Sequence, residues 1–109
     1  MKIFVEQFTP YHVGTSAEDN WELIRRSDKE SYWVHADGEP SAHVVIALDI
    51  VPLQAELDYA AFLVKQQTTK LLNATKKRFV ACPVGNLRLG SKVGEVIFKS
   101  QLPLIYFSF

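Results

Sequence analysis

The chain is a succession of short apolar blocks, each bounded by turn-forming or charged residues. Residues 2–8 carry Ile3, Phe4, Val5 and Phe8 with little polar interruption, a β-prone composition that predicts a strand. Thr9 and Pro10 turn the chain, and residues 11–13 form a short extended piece ending at Gly14. Ser16 is placed as a helix cap, because Glu18 and Asp19 follow where carboxylates favour a helix N-terminus. Ala17, Trp21 and Ile24 recur at helical spacing, so residues 17–26 should form a short helix with one apolar face.

Residues 31–36 and 42–48 read as two strands joined by a loop of turn formers, Asp37, Gly38, Glu39, Pro40 and Ser41. A hairpin centred on Glu39 places Trp33 opposite Val45 and His35 opposite His43. Side chains alternate along a strand, so Trp33, His35 and His43 share one face. The second strand is apolar almost throughout, as a strand covered on both faces should be. Val51 and Pro52 break it. Leu57, Ala60, Ala61, Val64, Leu71 and Leu72 then predict one long helix over 53–73, with Asn73 as its stop. Residues 79–82, 94–98 and 104–107 complete the strands, and 86–93 reads as a loop carrying Arg88 and Lys92. Strands and helices alternate without βαβ regularity. The expectation is one α+β domain over 1–109, a mixed, mostly antiparallel sheet with one long and one short helix packed on it.

Composition narrows the class. The 109 residues are 48% hydrophobic with five glycines and five prolines, which excludes disordered and collagenous chains. One cysteine, Cys82, excludes a disulfide framework and fits a reducing, cytoplasmic compartment. No apolar run is long enough for a membrane helix, and the first residues lack a signal-peptide pattern. The net charge of zero conceals an asymmetry. Up to Asp58 there are 4 Lys/Arg against 11 Asp/Glu, and from Tyr59 onward 8 against 1. Either the halves neutralise each other across the fold, or the basic half meets an anionic partner.

Few residues carry catalytic chemistry. His35, Asp37 and His43 are ordinary zinc-ligand types, but a site needs three or four ligands with a second shell, so no metal is expected. Either histidine is chemically able to move a proton, yet no nucleophile, carboxylate pair or oxyanion motif accompanies them, so no enzyme is expected. Gly85, Gly90 and Gly94 are scattered and make no phosphate loop, and no cofactor is implied. Cys82 in a strand reads as a buried thiol. The remaining signal is basic: Lys76, Lys77, Arg78, Arg88, Lys92 and Lys99 are able to contact phosphates, and aromatics such as Trp33 or Tyr32 are able to stack on unpaired bases.

Gly14 to Ile24, then Tyr32-Trp33-Val34-His35, then Pro40-Ser41-Ala42-His43-Val44-Val45-Ile46 resemble the NFACT-R domain, the RNA-binding domain of the NFACT proteins. The resembling pattern is a glycine, an asparagine opening a short helix, a Trp-x-His strand and a Gly/Ala-Ser/Ala-His-Val strand. Asp58 to Val64 looks like that family's Ala-Ala helix, and Val93 to Ile97 like its late Gly-x-Val hairpin. The resemblance spans roughly residues 4–107. Thr15 and Ser31 stand where many members carry a basic residue and Asp, and Ser41-Ala42-His43 lacks the glycine that many carry before Ser-His.

The resemblance implies a function in ribosome-associated quality control, where NFACT proteins bind the large ribosomal subunit and engage tRNA. The chain is expected to be a stand-alone version of the domain, and the family's elongation activity is not carried over to it. The motif falls on Gly14, Asn20, Trp33, His35, Ser41 and His43. The expectation is therefore a non-catalytic domain binding tRNA or ribosomal RNA. Trp33, His35 and His43 would give shape or stacking contacts, and Lys76, Lys77, Arg78, Arg88 and Lys92 would attract phosphates. The alternatives are a protein-interaction module docking to the ribosome or a quality-control partner, and an accessory to tRNA modification.

Overall fold

A computed structural model describes residues 1–109. Six strands form one sheet in the order β1-β2-β4-β3-β5-β8, and every pairing in it is antiparallel. They are β1 (Lys2–Glu6), β2 (Thr9–Val13), β3 (Tyr32–Ala36), β4 (Val44–Ile46), β5 (Arg78–Pro83) and β8 (Ile105–Ser108). Two further strands, β6 (Leu87–Leu89) and β7 (Val96–Phe98), pair in a separate two-stranded ribbon. The helices are α1 (Ala17–Arg26) and α2 (Gln54–Gln66). The α+β expectation holds. No helix is long and apolar enough to cross a membrane.

Period-two alternation divides the core between the two sheet faces. Tyr11, Val13, Val34, Ala36, Val44, Ile46, Phe79 and Ala81 point to the face covered by α2, whose Leu57, Ala60, Ala61, Leu63 and Val64 pack there. The alanines keep side chains short where helix meets sheet. The opposite face carries Trp33, Val45, Val80 and Cys82 against Leu23 and Ile24 of α1 and Val84 and Leu87 before and on the ribbon. Strand β4 is buried on both faces, as its unbroken apolar run required.

The β3–β4 register is the expected one: Trp33 faces Val45, with Tyr32 on Ile46 and Val34 on Val44. Ser16 caps α1, its hydroxyl accepting the Asp19 N–H at 3.1 Å. The long helix is shorter than predicted. It ends at Gln66 and is followed by a 3₁₀ turn over Thr69–Leu71, because Thr68 takes an extended conformation and spends its hydroxyl on the Ala42 N–H. The stretch read as a loop over 86–93 contains β6, and the strand expected at 94–98 is its partner β7. Leu87-Arg88-Leu89 alternates in the strand manner, but three residues give too short a signal.

Candidate functional site

A groove of about 1000 Å³ opens where β3 ends and β4 begins. Its walls are the β2–α1 junction, the β3–β4 loop, the turn that follows α2, and the β6–β7 turn. Gly14, Asn20, Trp33, His35, Ser41 and His43 all line it. These are the six residues on which the sequence motif fell, drawn from three separate segments.

The floor is an aromatic cluster. Trp33 and His35 lie two apart on β3 and so share a face, and their rings stack at 5.3 Å with 7° between planes. His43, just before β4, meets His35 edge-on at 4.6 Å. The Trp33 indole N–H donates to His43 Nδ1 at 3.0 Å. Trp33 is 1% exposed, so its ring is covered and is not itself a stacking surface for a ligand, contrary to the expectation. It positions the histidines.

The remaining motif residues hold this floor in place. Gly14 continues the β2–β4 ladder, donating its N–H to the His43 carbonyl at 3.0 Å. A Cβ at Gly14 would lie 2.0 Å from Asn20 Oδ1 and 3.0 Å from Asn20 Cα, so only glycine admits the asparagine here. Asn20, buried, accepts the His43 backbone N–H at 3.4 Å. Ser41 Oγ accepts the Ala36 N–H at 3.2 Å and closes the hairpin loop. Across the groove, Trp21 donates its indole N–H to the Glu95 carbonyl at 2.8 Å, fastening α1 to the β6–β7 turn. Gly94, at φ +90, packs against Ala17 at the same junction.

The basic residues divide. Lys77 pairs with Glu39 and Arg78 with Asp37, and Arg78 also lies over the Tyr106 ring at 4.3 Å. These pairs join the acidic and basic halves of the sequence and tie the β3–β4 loop to β5. The Lys76–Arg78 run is therefore not a free cationic face at the groove. Lys76 is exposed, and Arg88 is exposed on β6; neither lines the groove. Lys92 does line it, from the β6–β7 turn, and so does Lys70, which sequence reading placed inside a helix. Neither Lys70 nor Lys92 has an acidic partner within salt-bridge distance.

Burial sets the charge of the floor. Desolvation pushes His35 down to about 4, against smaller opposing effects from the Ala36 backbone, Asp37 and Glu39. Desolvation, with His35 alongside, pushes His43 down to about 3. Both are neutral at physiological pH. Cys82 is buried, and burial raises its thiol to about 11. No group of three or more His, Cys, Asp or Glu side chains is placed to hold a metal ion.

No protein-family model and no curated protein matches the chain. Among solved structures it is similar to the C-terminal part of the fibronectin/fibrinogen-binding protein from Streptococcus suis, with a TM-score of 0.84 at 22% identity. The match covers 97% of this chain and 43% of that one, so the chain spans less than half the length of its structural neighbour. At this identity the likeness is one of fold.

Proposed function

We propose that this chain is a non-catalytic RNA-binding domain of the NFACT-R kind, acting in the cytoplasm on tRNA or ribosomal RNA in translation or ribosome-associated quality control. The observation that carries the reading is the convergence of the six motif residues on one groove. Two lysines without acidic partners at that groove add to it, since phosphate attraction requires cations not already neutralised.

A second reading is a protein-docking module. It is favoured by the name of the structural neighbour, a fibronectin/fibrinogen-binding protein. Two large apolar side chains stand almost wholly in solvent, Phe8 at the β1–β2 tip and Leu102 before β8, 98% and 95% exposed. Docking through apolar surface depends weakly on salt, and RNA binding depends on it steeply.

The test is fluorescence anisotropy of labelled tRNA at several salt concentrations, with the wild type and the double variant Lys70→Glu, Lys92→Glu. The RNA reading expects binding that weakens steeply with salt, and a log–log slope shallower by about 1.5 in the variant if each lysine meets one phosphate. Absence of binding at low salt by the folded protein rejects it and turns the search to protein partners.

A further inference from the structure

The groove floor holds a hydrogen-bond donor that no atom of the protein uses. An indole N–H only donates, so His43 Nδ1, which meets the Trp33 N–H at 3.0 Å, must accept. A neutral imidazole then carries its proton on Nε2. The His43 side chain makes no second hydrogen bond. The residue is 3% exposed, yet no buried side-chain nitrogen or oxygen lacks a partner. The small exposed part of His43 therefore includes Nε2, and it faces the groove that His43 lines. Trp33 thus fixes both the tautomer and the direction of this donor.

Three further features surround it. The partly exposed His35 ring lines the same groove, backed by the Trp33 indole at 5.3 Å. Lys70 and Lys92 reach the groove from separate turns, and neither forms an ion pair with the Asp37, Glu39 or Glu95 carboxylates that also line it. The volume, about 1000 Å³, exceeds what one planar heterocycle fills. A neutral N–H donates to anionic and neutral acceptors alike, and it carries no charge of its own to balance a phosphate. It suits a neutral acceptor, such as a carbonyl oxygen or ring nitrogen on the edge of a flat ring. The lysines supply the charge that flanking phosphates require.

Resting on the RNA-binding reading, we propose that the groove receives an unpaired nucleobase, which lies against His35 and accepts a hydrogen bond from His43 Nε2–H, while Lys70 and Lys92 meet the neighbouring phosphates. A base in a duplex is stacked on both faces and paired on one edge, so the groove selects single-stranded or looped RNA. Trp33 is a positioning residue in this arrangement.

The test compares three labelled RNAs by anisotropy on the intact chain: a single-stranded hexamer, the same backbone with abasic central positions, and the hexamer sequence in a blunt duplex. The wild type should bind the hexamer about tenfold more tightly than either other RNA, a modest return for one stacked base. His43→Asn keeps an acceptor for the Trp33 N–H and removes the Nε2 donor. Its hexamer-to-abasic affinity ratio should fall severalfold. Should that variant not fold, ¹⁵N NMR of wild-type histidine side chains serves instead: the hexamer, and not the abasic RNA, should shift His43 Nε2. Equal affinity for all three RNAs overturns this inference while leaving RNA binding intact. No binding of any RNA, tRNA included, overturns both.

Discussion

Acidification should destabilise this domain through His35 and His43, and the size of the effect follows from their protonation. The perturbation is a change from pH 7 to pH 5. In the folded chain His35 titrates at about 4 and His43 at about 3, against an ordinary value of 6.5. The folded values lie below the unfolded one, so protonation favours the unfolded chain. Stability is complete above pH 6.5 and declines as pH falls from 6.5 toward 4. Within that window each histidine removes about 1.4 kcal/mol per pH unit. Down to pH 5 the pair therefore removes about 4 kcal/mol, a large share of the roughly 5–15 kcal/mol that keeps a domain folded. The loss over this range does not depend on where below pH 4 the folded groups finally titrate. The assay is urea unfolding at half-unit steps from pH 7.5 to 5, for the wild type and His43→Asn. The slope of stability against pH should roughly halve in the variant. A wild-type stability that is flat over this range, or equal slopes in the two proteins, would refute the neutral histidine pair.

Other consequences are local. Trp33→Phe leaves His43 Nδ1 buried without its donor, at a cost of about 1–3 kcal/mol beyond the lost packing; calorimetry should show Tm lowered by several degrees. Gly14→Ala places a Cβ against Asn20 Oδ1 and Cα, and should cost about 1–3 kcal/mol in a urea titration, because backbone must shift. An unchanged urea midpoint there would mean that the close approach is not real. Cys82 should not react with a thiol reagent at pH 8 until the chain is denatured, since its thiol is buried and raised to about 11; rapid labelling of folded protein would contradict its placement.

Much of the floor was legible because it depends on short-range rules. Alternation on β3 and a symmetric loop about Glu39 sufficed to set Trp33 opposite Val45, and hence His35 beside His43. What escaped depends on long-range contact. The β3–β5 register puts Ala36 opposite Phe79, which brings Asp37 and Glu39 to Arg78 and Lys77, distant in sequence. A run that reads as free cations is thereby neutralised. Lys70 was hidden by the apolar spacing of Leu71 and Leu72, which prolonged the apparent helix; only the bond from the Ala42 N–H to Thr68 explains why the chain turns there and delivers Lys70 to the groove. The indole–imidazole bond that makes Trp33 a support and not a contact also needs coordinates, because shared facing does not reveal which ring covers the other.

The groove as the RNA contact site is tested most directly by ¹H–¹⁵N NMR of the labelled protein titrated with tRNA at low salt. The account predicts shifts concentrated on the Trp33 indole N–H, His35, His43, Lys70 and the turn from Lys92 to Glu95. Shifts confined to other surfaces, such as the Phe8 hairpin tip or the exposed side of β6, would contradict it, as would a spectrum unchanged by RNA.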